Sequence, residues 1–315
     1  MLEREKDIAE LSVKIEDLRK FAQDKKTDFS AEIKVLEAKL AKMKAEVIVN
    51  LSPMDKLTLS RMIERPTALD YIERIFEGFI ELHGDRKFRD DPSIVGGIAR
   101  LGDLPVTIIG QQKGRNTKEN VRRNFGMPNP EGFRKALRLM KQAEKFRRPV
   151  ICFIDPPGAD PGLGAEERGQ GEAIARNLME LVGLRTPIIS IVIGEGGSGG
   201  ALALSVADEI WMLEHSVYAI LSPEGFASIL WKDASRAKEA AQLMKITAQD
   251  LKEMGLIDRI LPEPPGGAHK DLDGMAKIIK ESLLQVPFKT MSEKIAEVVD
   301  QRYNKYRKIG AYLEC

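Results

Sequence analysis

The sequence predicts an α/β fold with helices on both faces of a sheet, and two successive units of the same build carry that expectation. Val150-Ile-Cys-Phe-Ile154 runs into the turn Asp155–Gly164 and a helix from Glu166 to Leu184. Pro187-Ile-Ile-Ser-Ile-Val-Ile193 then runs into Gly194-Glu-Gly-Gly-Ser-Gly-Gly200 and the short apolar helix Ala201–Ala207. Both strands are apolar at nearly every position, as strands covered on two faces must be.

The remaining elements follow in chain order. Ile8, Leu11, Ile15 and Leu18, and again Ile33, Leu36, Leu40, Met43 and Val47, recur at helical spacing on either side of the polar break Asp24–Ser30. Residues 1–53 therefore read as a helical hairpin, with Asp28 or Ser30 as N-cap, packing on the body or on a partner. A helix is expected from Thr67 to Leu82. Ile94–Leu101 and Val106–Gln111, joined through Gly102-Asp103, give a hairpin signal. A basic, glycine-containing loop carries Lys113, Arg115, Arg122 and Arg123 and leads to a helix from Pro130 to Arg147. Arg134, Arg138, Lys141, Lys145 and Arg148 form a positive stripe on it, which reads first as a solvated face and second as an anion site. Beyond the glycine-rich turn, strands are expected at Glu209–Leu213, Val217–Leu221 and Ile257–Leu261, with one helix from Ala234 to Met254. Pro262–Gly267 marks the end of the core, so the chain divides into a body at 54–265 and a tail of two charged helices at 266–315.

Composition narrows the function. Over 315 residues, 49 Lys and Arg face 48 acids, a net charge of +1, so any electrostatic recognition is local and nothing pulls the chain toward nucleic acid or membrane. Cys152 and Cys315 make no disulfide framework or zinc ribbon, and His83, His215 and His269 are scattered, so no catalytic metal is expected. The N-terminus is charged and acidic, unlike a targeting peptide, and no apolar run reaches the length of a membrane span; a cytoplasmic protein is expected.

The glycine-rich turn satisfies two motifs at once. Gly194, Gly196 and Gly199 spell G-x-G-x-x-G with Glu214 at the distance of a ribose-binding acid, but the following helix is short for a crossover to a parallel neighbour. Gly196-Gly-Ser198-Gly-Gly200 spells G-x-S-x-G, and Asp258 and His269 follow in the order of a hydrolase triad, although His269 sits in what reads as an exposed loop. A third reading gives the glycines only close strand–helix packing. In every case the first helical turn presents backbone amides, which suit an anion.

Gly110-Gln-Gln-Lys-Gly-Arg115, Arg122-Arg-Asn-Phe-Gly-Met-Pro128, Pro130–Met140, Gly164-Ala-Glu-Glu-Arg-Gly-Gln170, Gly194–Gly200 and Ser222-Pro-Glu-Gly225 together resemble the carboxyltransferase α-subunit family of multi-subunit acetyl-CoA carboxylases. The resemblance runs from the N-terminal hairpin to the loop near Gly266. It implies a crotonase-like spiral of β-β-α units and a site shared with a β subunit that carries the CoA-binding half and a zinc ribbon. It implies a carboxyl group moved from biotin, held on a biotin carboxyl carrier protein and charged by biotin carboxylase in an ATP-dependent complex, to acetyl-CoA, giving malonyl-CoA for fatty acid synthesis. Gly199 and Gly200 are implied as amide donors to the ureido oxygen of biotin, with Gly196, Gly197 and Ser198 shaping the turn. Gly158, Gly162 and Gly164 are implied to line the pocket, while Lys113, Arg115, Arg122 and Arg123 remain candidates for contact with an anion or a partner, since the family places the CoA site mainly on the other subunit. A lost oxyanion donor typically costs about 3 kcal/mol of barrier, so two amides are an adequate device. A crotonase-like hydrolase using Ser198 and a non-catalytic assembly subunit are the rival readings.

The chain departs from the family pattern in one loop. Asp155-Pro156-Pro157-Gly158-Ala159-Asp160-Pro161-Gly162 stands where the family usually reads Asp-Thr-Pro-Gly-Ala-Tyr-Pro-Gly; Gly171 replaces a serine and Phe226 a cysteine. Pro156 removes a backbone donor and Asp160 exchanges an aromatic surface for a charge, so the loop's contact with biotin is expected to differ.

Overall fold

The computed structural model describes residues 3–25, 29, 32–40 and 51–310. Near the N-terminus, a helix Glu3–Lys25 is followed by helical residues 32–40. Arg19 pairs with Glu37, and the Phe21 and Phe29 rings lie 5.9 Å apart. The expected caps Asp28 and Ser30, and Met43, Val47 and Cys315, lie outside the described residues.

The body is built on a seven-stranded sheet in the order β1-β2-β3-β4-β5-β7-β9. Its strands are β1 Glu77–Glu81, β2 Ile94–Leu101, β3 Leu104–Gln111, β4 Val150–Ile154, β5 Ile188–Val192, β7 Glu209–Leu213 and β9 Arg259–Leu261. β1, β2 and β3 are antiparallel, with Leu101 opposite Leu104 across the expected hairpin, and from β3 to β9 every pairing is parallel. A separate two-stranded parallel sheet pairs β6 Glu195–Gly197 with β8 Val217–Ala219.

Alternation along the central strands explains why both faces are covered. Ile151, Phe153, Ile189, Ile191, Trp211 and Leu213 enter one apolar cluster, while Val150, Cys152, Ile154, Ile188, Val192 and Met212 enter another. Successive side chains point to opposite faces, so a strand apolar throughout feeds two cores at once. Tyr71, Ile72 and Ile75 from helix Ala68–Ile75 close the first face; Leu139, Met140 and Ala143 from helix Pro130–Lys145 and Leu181 from helix Gln170–Gly183 close the second.

Several boundaries differ from expectation. The helix expected over 67–82 ends at Ile75 and gives way to the edge strand β1, because Gly78 takes φ +63 and the apolar spacing continues through strand residues. The helix expected over 166–184 is broken at Gly169, φ +82. The single helix expected over 234–254 is split into Ala234–Arg236, Ala237–Leu243 and Ala248–Glu253. Ile246 is withdrawn from helix because its carbonyl accepts the Tyr218 N–H at 3.0 Å, and a Thr247/Asp250 capping box restarts the helix. Nor does the core end at Pro262–Gly267. Helix Leu272–Leu284 supplies the fully buried Met275, Ile279 and Leu283 to the first face of the sheet, and helices Phe288–Glu293 and Ile295–Arg307 follow it where two helices were expected. A proline-glycine stretch marks a turn, not a boundary, when the next helix still has an apolar stripe to bury.

Candidate active site

The glycine-rich segment leaves the C-terminal end of β5, where loops of a parallel sheet gather ligands. It is not one loop. Glu195–Gly197 form β6, with Glu195 opposite Val217 and Gly197 opposite Ala219, and helix Ser198–Ser205 begins at once. A β-carbon on Gly194 would lie 2.3 Å from Asp155 Oδ1, one on Gly197 2.1 Å from Pro157 O, and one on Gly200 2.5 Å from the Gly158 carbonyl carbon. These three glycines let the segment pack directly on the 155–159 loop, and the Gly197 amide seals the contact by donating to Pro156 O at 2.8 Å. Gly199 is different. A β-carbon there would meet only Ile174, at 3.6 Å, an ordinary contact.

Ser198, Gly199 and Gly200 form the first turn of the helix, where an N–H has no acceptor within the helix itself. Aligned peptide dipoles add partial positive charge at that end. Ser198 holds φ +53, a conformation that costs a non-glycine residue about 1–2 kcal/mol. Its side chain is exposed.

Beneath this turn lies a layer of paired charges. Asp155 Oδ1 accepts the Glu195 N–H at 2.8 Å and the Lys113 ammonium at 2.7 Å. Burial raises the Asp155 carboxyl above its ordinary range against the pull of Lys113. Gln111, fully buried at the end of β3, donates to Gly200 O at 2.6 Å and accepts the Asp155 N–H at 3.2 Å, tying three segments together. Arg65 Nε donates to Ile193 O at 2.7 Å while its other nitrogens grip Glu263 at 2.6 and 3.1 Å. Burial would raise the Glu263 carboxyl, but Arg65, with His215 and the Ala268 N–H, outweighs it and holds the group at about 2. Burial also lowers His215, against the pull of Glu263 and Glu214. A cavity of about 200 Å³ opens beside this layer, lined by Arg61, Arg65, Lys113, Asn120, Phe125 and Asp155.

The loop residues named from the sequence separate in space. Gly158 abuts Gly197 and Gly200, whereas Gly162 and Gly164 lie on the exposed outer part, where the Gly162 amide donates to Asp160 at 3.0 Å. Of the four cations, Lys113 alone reaches the layer under the turn. Arg115 pairs with Asp70, Arg123 donates to Pro92 O at 2.7 Å, and Arg122 is exposed. The positive stripe is largely occupied within the chain: Arg134 donates to Arg168 O, Arg138 to Gly84 O and Arg148 to Thr107, and Lys141 pairs with Glu180 at 2.7 Å.

Geometry also weighs the rival motifs. The short helix does not bar a parallel crossover: β5 and β7 are parallel neighbours, and the turn, β6 and the helix together span the link. The dinucleotide reading falls instead on Glu214, whose carboxylate is taken by the Glu263 N–H at 3.1 Å. His269 is half-buried rather than exposed. Asp258 precedes β9 and bonds the Ile210 N–H at 2.7 Å, so it lies at the N-terminal edge of the parallel strands, opposite Ser198. No triad assembles.

Local spacing and residue type assign no role to Arg61, Arg65, Gln111, Asp155, Glu195 or Glu263. One signal was present: Glu195 is a lone charge in a run of small residues that packs against a strand, and a buried carboxylate there demands a cation.

Residues 1–310 match a family model described as acetyl co-enzyme A carboxylase carboxyltransferase-like. The chain is 58% identical over 313 residues to the acetyl-coenzyme A carboxylase carboxyl transferase subunit alpha of Anoxybacillus flavithermus, covering 99% of this chain and 96% of that one. Among solved structures it is similar to a Pseudomonas malonate decarboxylase hetero-tetramer in complex with coenzyme A, with TM-score 0.56 and 18% identity over 77% of this chain and 95% of that one. It is also similar to transcarboxylase 12S, with TM-score 0.55 and 19% identity over 73% of this chain and 45% of that longer one. The two structural likenesses show a shared crotonase-like fold.

Proposed function

The chain belongs to the acetyl-CoA carboxylase carboxyltransferase family, and from that premise we propose that its chemistry is carried by the amides of Gly199 and Gly200. It is the α subunit of a carboxyltransferase that moves a carboxyl group to acetyl-CoA, giving malonyl-CoA. The observation that supports the site is the place of the Gly199 and Gly200 amides in the first turn of helix Ser198–Ser205, with no acceptor in their own helix, above a layer in which the neighbouring charges are paired.

The residues present fit a planar, hydrogen-bond-accepting ring such as that of biotin. A β-carbon on Gly199 would make only an ordinary contact with Ile174, at 3.6 Å, and one on Gly158 would have nothing within 4 Å. When bound, the carboxylated biotin of the carrier protein supplies the carboxyl group and, through its ureido ring, a base. The chain's part is to donate two N–H groups where negative charge develops, in a position fixed before the reaction. Gly197 and Gly200 let the 156–159 loop close one wall, and Pro156 contributes its carbonyl to Gly197 rather than a donor to the pocket. Lys113 neutralises Asp155 beneath the turn, so no free carboxylate opposes the developing anion. The acyl-CoA half of the site is assigned to a β subunit, and activity to the pair alone.

Mixing the chain with its β partner, malonyl-CoA and biocytin and following decarboxylation tests this reading. Neither chain alone turns over, Ser198→Ala retains wild-type rate, and Gly199→Val loses at least about 100-fold. A fully active Gly199→Val removes the donor assignment, and labelling of Ser198 by a fluorophosphonate restores the hydrolase.

A further inference from the structure

Arg61 follows helix Pro53–Ser60, whose start is fixed by a capping box between Ser52 and Asp55. Its guanidinium reaches two carboxylates that the chain brings from distant positions. Nε and Nη2 donate to Glu195 Oε1 at 3.0 and 2.7 Å, and Nη1 donates to Glu224 Oε1 at 3.0 Å. Glu195 opens β6, and Glu224 lies in the first turn of helix Pro223–Trp231, capped by Ser222. One side chain thus joins the glycine-rich turn to the Ser222-Pro-Glu-Gly225 turn.

The junction it holds is under strain. Ser198, three residues beyond Glu195, keeps φ +53, and such a conformation persists only where its surroundings over-determine it. On the inner side Asp155 fixes the Glu195 amide, at 2.8 Å; on the outer side Arg61 fixes the Glu195 carboxylate. The Glu195 side chain is 9% exposed, so losing its cation strands a nearly buried charge beside β6. A Lys at this position keeps the charge but replaces three forked nitrogens by one donor atom, so it holds the two carboxylates less rigidly.

We propose that Arg61 is a positioning residue for carboxyl transfer, bridging Glu195 and Glu224 so that the strained β6–helix junction presents the Gly199 and Gly200 amides in register. The inference rests on the carboxyltransferase reading for its consequence, not for its geometry. Two measurements therefore test it. Hydrogen–deuterium exchange on the full chain alone compares residues 195–202 with β4 in wild type, Arg61→Gln, Arg61→Lys and Glu224→Gln. Arg61→Gln is expected to speed exchange in 195–202 by about tenfold with β4 unchanged, as a locally opened unit does. Arg61→Lys should recover most of that protection, and Glu224→Gln should lose a smaller share. Decarboxylation with the β partner should then show kcat lowered about tenfold by Arg61→Gln at unchanged KM for malonyl-CoA, the mark of a loss felt in the transition state. Applied together, Arg61→Gln and Glu224→Gln should cost no more than Arg61→Gln alone.

Unchanged exchange at 195–202 overturns the proposal. So does a kcat loss that follows a fall in melting temperature, or an effect on KM with kcat unchanged. An inactive wild-type pair overturns the carboxyltransferase reading only, since the exchange arm still decides whether Arg61 holds the turn.

Discussion

Strand β5 is gripped at both ends by a buried arginine, and the two ends are built to opposite purposes. Beyond its C-terminus Arg65 takes Ile193 O at 2.7 Å and pairs with Glu263 at 2.6 Å. Before its N-terminus Arg302 takes Thr186 O at 2.9 Å and pairs with Asp208 at 2.8 Å. Arg302 also satisfies the carbonyls of Leu181 and Leu184, both at 2.8 Å, the loose end of helix Gln170–Gly183. Tyr306, one turn on, accepts the Ala207 N–H at 2.8 Å. At this end charge is spent on closing off main-chain groups. At the other end the charges largely satisfy one another through side chains, and the amides of Gly199 and Gly200 stand in a first helical turn with no acceptor in their own helix. The difference teaches where chemistry can occur: a stable edge consumes its polar groups, whereas a catalytic edge pairs its charges so that donors stay available.

The comparison can be broken most forcefully at the closed end. Arg302→Met strands Asp208 and three carbonyls and should cost about 3–5 kcal/mol, read as a lowered denaturation midpoint, while the folded fraction keeps its turnover. A specific loss of turnover without loss of stability would show that the ends do not divide the work this way.

Acid should act at the open end next. The Glu263 carboxyl has an ordinary value of 4.5 and sits at about 2 in the fold, so its pairing contributes stability that is complete above pH 4.5 and lost as the pH falls through 2. That contribution is about 3 kcal/mol, from the shift between the two states. Glu263→Gln, less stable at neutral pH, should show a correspondingly shallower decline between pH 5 and 3 in chemical denaturation.

Gly200→Ala sharpens the contrast between packing and chemistry. Its β-carbon would lie 2.5 Å from the Gly158 carbonyl carbon, so overpacking should cost about 1–3 kcal/mol and decarboxylation should vanish with it. Gly171→Ala, on helix Gln170–Gly183 with nothing within 4 Å of its β-carbon, touches neither end. It should raise stability by about 0.5–1 kcal/mol with turnover unchanged, the smallest effect of the set.

Much of this was legible in the chain. Two-faced burial of Val150–Ile154 and Ile188–Val192, the hairpin at Gly102-Asp103 and the amide-bearing turn at Gly194–Gly200 all follow from local spacing and residue type. Less legible were the elements where spacing was ambiguous. The apolar run through Phe79 and Ile80 fits a helix as well as a strand, and only Gly78 told them apart; the capping box at Thr247 was readable but outweighed by an apparently continuous helix.

By itself, the sequence determined which segments could be strands covered on two faces and where the main chain had to run bare of side chains. Those properties depend on neighbours in sequence, through the twofold period of a strand and the missing β-carbon of glycine. Tertiary structure decided which charges meet. Arg61 reaches Glu195 across 134 positions and Arg65 reaches Glu263 across 198, distances that carry no local signal and are closed only by the order of strands in the sheet. It also decided that helix Leu272–Leu284 belongs to the core, because the exposed first face of the sheet needed a cover and that helix had the apolar stripe to supply it.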